Sequence, residues 1–401
     1  MIPEFMFATG IECSYPTVPK KGGGSRRVDE LALIGHYDHW RKDFELTKAL
    51  GIDYLRYGVP YFKVHLGPGQ YDWEFVDKTF DAMRELGIVP IADLCHFGVP
   101  EWIGNFQNEQ WPTMFAEYAK AFAARYPWVK FYTPVNEIYT TALFSGRRGM
   151  WNEALSTEQG FVRAIANLCT ANLMAIGKIL EIRSDAVFVQ SEASQYFHPE
   201  TPEAASEACF LNERRFLSLD LTYGYTVSSN MFRYLIENGL REKEFDWFGE
   251  QKIPATCVMG TDYYGKNEHV VDAHGERLFS GTLLGLSAII RQYYERYRLP
   301  IMLTETNTYA AKADDWLVAT WANICRLRNE GVPIVGYTWY SLTDQVEWDS
   351  SLTKNNRKVD SFGLCDLDRN LRDVGKSYRK LIEDWQVFVT RSADDRSRKS
   401  W

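Results

Sequence analysis

Residues 130–137, KFYTPVNE, and residues 301–307, IMLTETN, are two short apolar runs that each deliver a glutamate at or near the far end, Glu137 and Glu305. Glutamate is almost never fully buried unless it is paired, so placing it behind Val135 or Leu303 has an energetic cost that calls for a reason. A single case could be a carboxylate capping the next helix or meeting a surface arginine. Two cases, at the tips of two separate strand-like runs, point to convergent carboxylates in a functional site.

Outward from these runs the same pattern repeats along the chain. Strand-like segments at 5–13, 54–59, 89–96, 130–136, 186–192, 255–263, 300–305 and 334–341 alternate with amphipathic stretches. The clearest of these are WRKDFELTKALG, WEFVDKTFDAMRELG, MFAEYAKAFAARYP, residues 157–183, LLGLSAIIRQYYERY, DDWLVATWANICRLRNEG and a final KSYRKLIEDWQVFV. Near-continuous apolar strands, each followed by a helix, imply a parallel sheet covered by helices. Eight repeats favour an α/β fold closed into a single (β/α)8 TIM barrel over an open doubly wound sheet. No G-x-G-x-x-G follows the first strand, which counts against a dinucleotide fold. The barrel is expected to occupy residues 1–390, with a polar C-terminal tail at 391–401. KKGGGSRR (20–27) reads as a flexible, solvated loop after the first strand, and 194–254 is long enough to carry extra helices over the barrel mouth.

A net charge of −8 argues against a nucleic-acid or anionic-membrane partner, since no basic field covers the chain. Aromatic residues make up 15% of the chain. Flat rings beyond the needs of a core suit a cleft for sugars, whose apolar C–H faces stack on them. The seven cysteines are scattered without a C-x-x-C pair. The N-terminal MIPEFMFATGIEC lacks a basic n-region and a long apolar stretch, and no run approaches the roughly 18 consecutive apolar residues of a membrane span. Together these imply a soluble, cytoplasmic protein whose oligomeric state the sequence leaves open.

In barrels of this kind working residues come from the C-terminal ends of strands. Those ends supply Arg56, His96, Asn136 with Glu137, Tyr264, Glu305, and the cluster from Tyr340 to Trp348. The set suits glycoside hydrolysis, in which one carboxylic acid protonates the leaving oxygen and a second carboxylate attacks the anomeric carbon. Arg56 can keep the nucleophile ionised, Tyr264 can donate a hydrogen bond that orients it, and His96 and Asn136 can bind sugar hydroxyls. Neighbouring strand residues face opposite ways, so Asn136 and Glu137 can share the site only if the strand end bends.

These motifs resemble glycoside hydrolase family 1, the retaining β-glucosidase and β-galactosidase family, in order from about residue 3 to 385. PEFMFATG is similar to the family's opening strand, HYDHWRKDFELTKALGIDYLRYGV to its first helix and second strand, and LCHFGVP to its histidine-bearing third strand end. TPVNE resembles the acid/base motif, GTDYYG the Asn-Tyr-Tyr strand and LTETN the nucleophile motif. GYTWYSLTDQVEW is similar to the eighth strand with its sugar-binding loop, and FGLCDLDRNLRDVGKS to the segment after that loop. The resemblance implies Glu137 as acid/base, Glu305 as nucleophile, Asn136 on the 2-hydroxyl and Tyr264 against the nucleophile. It also implies Glu347 on the outer hydroxyls of the non-reducing sugar, with Trp348 stacking nearby.

The chain departs from the family at several points. Ile138 replaces the Pro after Asn-Glu, Thr306-Asn307 replaces Asn-Gly after the nucleophile, and Tyr340 stands at a tryptophan position. The family's Gln-Ile-Glu near the first strand has no clean counterpart, Glu12 being the nearest polar candidate for touching sugar. A carboxylate at Glu347 would repel a 6-phosphate, which favours neutral sugars, although Lys354 and Lys358 lie downstream. His36 and His39 flank Asp38 like a partial metal site, but no third ligand is evident and a structural role is expected. The reading is therefore a retaining exo-β-glycosidase acting on a small carbohydrate or glycoside, without metal or cofactor. The alternatives are a transglycosylase using the same site or a catalytically silent sugar-binding barrel. Sugar preference, linkage and aglycone are left open.

Overall fold

The computed structural model describes residues 2–398 apart from 253 and 255, with side chains described to residue 387. Each of the eight expected runs forms a strand: β1 Met6–Ile11, β2 Tyr54–Gly58, β3 Val89–Asp93, β4 Phe131–Thr133, β5 Val187–Gln190, β6 Cys257–Asp262, β7 Ile301–Glu305 and β8 Ile334–Trp339. They close into a barrel in sequential order, and every neighbouring pair is parallel. Most strands stop short of their expected C-terminal limits. At those limits the chain leaves the ladder to aim side chains into the mouth, so an apolar pattern continues where regular pairing does not. Residue 255, at the edge of one expected strand, lies outside the described residues.

Barrel closure splits the apolar side chains into two layers. One set points inward, among them Met6, Ile91, Phe131, Val187, Val258 and Met302, and fills the barrel's interior as a packed core. The opposite faces of the strands meet the surrounding helices in a far larger cluster. The helices follow the amphipathic stretches closely: His36–Ala49, Glu74–Leu86, Trp111–Arg125, Glu158–Ile182, Leu286–Tyr297, Ala313–Asn329 and Asp373–Arg398. The last runs into the expected polar tail, of which residues 399–401 lie outside the described residues. Glu158–Ile182 is long and apolar enough to cross a membrane by length and composition alone. Its apolarity has a packing explanation, because it is covered by Trp111–Arg125, Ile138–Ala142, Leu143–Arg147 and Leu217–Tyr223.

Between β5 and β6 the chain carries the helices Ala205–Arg214, Leu217–Tyr223, Ser229–Glu237 and Glu242–Gly249, as the length of 194–254 implied. A small sheet of Tyr196–Pro199, Glu268–Val271 and Arg277–Phe279 lies between these connections. The KKGGGSRR stretch departs from expectation. Thr17–Pro19 and Ser25–Arg27 pair as an antiparallel hairpin, and Arg26 leaves the solvent to bind another loop. His36 has the structural role expected of it. Its Nδ1 lies 2.8 Å from an Asp43 carboxylate oxygen and its Nε2 3.1 Å from the Tyr57 hydroxyl.

Candidate active site

Glu137 reaches the barrel mouth through a bend. β4 ends at Thr133, after which the Asn136 N–H donates to the Cys95 carbonyl at 3.0 Å and the Glu137 N–H to the Ser191 carbonyl at 3.1 Å. Glu137 then takes a left-handed backbone, φ 38°, before the helix Ile138–Ala142. A non-glycine residue in that region costs on the order of 1–3 kcal/mol and persists where the surroundings impose it. The bend breaks the strand's two-residue alternation, so Asn136 and Glu137 both face inward. The Asn136 side-chain oxygen Oδ1 accepts from Arg56 Nη2 at 2.7 Å, and its Nδ2 lies 3.2 Å from His96 Nε2. His96 is itself held at Nδ1, 2.6 Å from Asp93. Burial opposes charge on that imidazole, but the carboxylates of Asp93, Glu12 and Glu305 together outweigh it and raise the pKa.

Glu305 ends β7 and has both oxygens engaged. Oε1 accepts from Arg56 Nη1 at 2.5 Å, and Oε2 accepts from the Tyr264 hydroxyl at 2.7 Å. Arg56 is 1% exposed and also donates to the Thr304 carbonyl. Its charge is therefore committed to the Glu305 end of the site. A carboxylate fixed at both oxygens and paired with a guanidinium is oriented as a nucleophile must be.

Sequence reading does not single out a third carboxyl that the barrel places beside these two. A register shift between Thr261 and Asp262 sets Asp262 opposite Glu305, and one oxygen each of Glu137, Asp262 and Glu305 lies within 4.8 Å of the others. Asp262 is fully buried and accepts from Ser191 Oγ at 2.8 and 2.9 Å and from Thr304 Oγ1 at 2.6 Å. The signal was present in GTDYYG, where an aspartate ends a third strand at the position of the family's asparagine. By spacing alone the trio suits a divalent cation, but hydroxyl and guanidinium donors already occupy the oxygens of Asp262 and Glu305.

The charges explain which carboxyl keeps a proton. Burial raises the pKa of Glu137 well above the usual carboxylate range, and the nearby charges of Asp262, Glu305 and Glu192 push it further. Burial likewise raises Asp262, with Glu305 adding to it. Glu137 thus suits an acid, protonated where an exposed glutamate would be ionised. Replacing Asp262 by asparagine removes the first of the like charges acting on Glu137, so Glu137 should release its proton at lower pH. The alkaline limb of a pH profile of kcat/KM should move toward acid by about a unit, a shift of the size a neighbouring carboxylate produces. A limb that stays in place would show Asp262 to be neutral throughout that range.

Toward the outer end of the site the remaining residues interlock. Trp348 Nε1 donates to Glu12 Oε1 at 2.8 Å, Gln345 donates to Glu12 Oε2, and Ser14 donates to Oε1 at 2.5 Å. Burial raises the Glu12 pKa to about 7. Tyr340 is buried with its ring nearly parallel to His96, and the Arg56 guanidinium sits 5.2 Å from its centroid. Gly10 makes room for that ring, which would overlap any Cβ at this position. Glu347 is fully buried, accepting from Arg26 Nη2 at 2.7 Å and from the Arg357 N–H at 2.8 Å. Arg26 also ties down the Leu352 carbonyl at 2.8 Å. The hairpin cation therefore neutralises the carboxylate expected to face the outer hydroxyls, a pairing that no local pattern foretold.

Comparison with known proteins matches this architecture. The sequence model described as Glycosyl hydrolase family 1 matches residues 14–226. The chain is 24% identical over 399 residues to "Beta-glucosidase A" of Thermotoga maritima, covering 87% of this chain and 86% of the relative. It is 22% identical over 380 residues to the "6-phospho-beta-glucosidase AscB" of Escherichia coli, covering 83% and 79%. A solved β-glucosidase from Thermotoga maritima, in complex with deoxynojirimycin, superposes with a TM-score of 0.79 at 18% identity, over 96% of this chain and 99% of that one.

Proposed function

Since this chain belongs to glycosyl hydrolase family 1, whose sequence model spans more than half of it, we propose that it is a retaining exo-β-glycosidase acting on β-glucosides or close relatives. Glu305 is the nucleophile and Glu137 the acid/base. One observation carries the assignment: of two buried glutamates with oxygens within 4.8 Å, only Glu305 is bound to Arg56 and Tyr264. Glu137 lacks that counter-charge and holds its proton.

The reaction runs in two steps. Glu305 attacks the anomeric carbon as Glu137 gives its proton to the leaving oxygen, forming a glycosyl ester on Glu305. Esterification removes the negative charge beside Glu137, which lowers its pKa so that it can ionise and take a proton from the incoming water. Asn136 and His96, joined to each other and to Arg56 and Asp93, present polar groups to ring hydroxyls. Tyr264 releases its bond to Oε2 as the ester forms. Beyond these, Tyr340, Glu12 and Trp348 line the sugar's outer side, and Glu347 acts by ordering the Arg26 hairpin and the 352–357 loop. The Glu12 carboxyl on that side, held by Trp348, Gln345 and Ser14 rather than by a cation, disfavours a 6-phosphate and supports a neutral sugar. The seven free cysteines suit a reducing, cytoplasmic setting.

A panel of aryl β-glycosides, followed by proton NMR of the first-formed sugar, tests the reading. The β-anomer should appear first and mutarotate later. An initial α-anomer would point to inversion, and no turnover of any aryl β-glycoside would favour the silent sugar-binding barrel.

A further inference from the structure

A second concave surface, outside the catalytic cluster, carries charge that the proposed reaction does not use. A cavity of about 630 Å³ lies between Arg147 and Arg148, Glu207 of the helix Ala205–Arg214, and the 273–277 turn with His274 and Arg277. Three guanidiniums line it against one carboxylate, in a protein whose net charge is −8. The local balance is uneven. Arg147 pairs with Glu158, and Arg277 with Glu207 at 3.3 Å. Glu158 is shared with Arg214, which lies close enough to act on the charges of both Arg148 and Arg277. Four cations thus face two carboxylates.

Arg148 is the one of the four with no carboxylate partner among the described residues. Its guanidinium has, among those residues, no ion pair or hydrogen bond, only the Phe144 ring at 5.1 Å. It is exposed to solvent yet closely surrounded by protein, as a side chain on the wall of a concavity is. Burial and the neighbouring Arg277, Arg147 and Arg214 all work against its charge. The cations Arg148 and Arg277 also act on His269, a buried imidazole of the adjacent strand Glu268–Val271 whose Nε2 has no partner among the described residues. Like charges held together without a counter-ion are destabilising, and arginine forks match the geometry of tetrahedral and planar oxyanions.

We propose that this cavity is an anion-binding site, taking a phosphate-type or carboxylate group between Arg148 and Arg277. The anion comes either free in solution or as part of the leaving portion of a glycoside. The second source fits the position of the cavity, because Arg147 and Arg148 end the helical segment that starts immediately after Glu137.

Calorimetric titration of the full chain with inorganic phosphate and with pyrophosphate, at constant ionic strength, tests the site. At least one should bind saturably to the wild type, and at least tenfold more weakly to Arg148→Gln/Arg277→Gln. His274→Glu, which adds a carboxylate on an exposed turn, should weaken it similarly and serves if the double variant does not fold. Binding that is absent, or unchanged by these substitutions, would overturn the proposal. Kinetics with neutral and carboxylated aryl glycosides separates the two sources. Selective loss of kcat/KM for the carboxylated substrate in the variants assigns the anion to the substrate, and equal kinetics with lost phosphate binding assigns it to a free anion.

Discussion

Replacing Glu305 by alanine should abolish turnover of every glycoside, lowering kcat by about ten-thousand-fold or more, as removal of a covalent nucleophile does. The loss should not depend on the leaving group, because no glycosyl-enzyme can form however acidic the aglycone. The substitution also strips Arg56, 1% exposed, of its nearest carboxylate and leaves it Asp93 at 3.9 Å. Breaking a buried pair costs up to about 3–5 kcal/mol, so the alanine variant should melt at lower temperature as well. Glu305→Gln separates the two effects. Its amide oxygen can still accept from Arg56, so it should keep most of the stability while remaining inactive. Stopped-flow or steady-state assays with a dinitrophenyl glycoside, read beside thermal melts, check both. Activity within tenfold of wild type in Glu305→Gln would exclude this residue as nucleophile.

Glu137→Ala should behave differently in the two steps. Substrates whose leaving groups need no proton should still form the glycosyl-enzyme rapidly, whereas alkyl glycosides should lose about 10²–10⁴-fold, the usual contribution of general acid catalysis. Hydrolysis of the intermediate then becomes limiting, because water has lost its base. Azide, a small anion that needs none, should restore turnover and give a β-glycosyl azide. In Glu305→Ala azide should instead occupy the vacated face and give the α-product from a β-glycoside. Reversal of the two stereochemical outcomes would mean that the roles of Glu137 and Glu305 are exchanged.

The convergence of Glu137 and Glu305 was legible because each sits in a local contradiction, a carboxylate at the end of an apolar run. Arg56, His96, Asn136 and Tyr264 were legible through their strand ends and an ordered series of motifs. The bend needed to share Asn136 and Glu137 could be deduced from strand periodicity, but its form, a left-handed backbone at Glu137, could not. Asp262 also closes an apolar run, but that local signal does not tell whether its side chain meets the other two carboxyls. It becomes a site residue only when a register shift sets it opposite Glu305. Glu347 carries a contact that no motif contains, since the resemblance implies a ligand for the outer sugar hydroxyls and the fold also pairs it with Arg26, 321 positions away.

Strand and helix order, barrel class and the two principal carboxylates are properties of short windows of chain, where periodicity and burial cost act over a few residues. Barrel closure brings eight strand ends into one small volume, where strand register places Asp262 and charges from distant segments settle the protonation of Glu137 and the neutralisation of Glu347. Electrostatic interactions depend on separation in space and on burial. Sequence spacing reports neither, so these features belong to the tertiary structure alone.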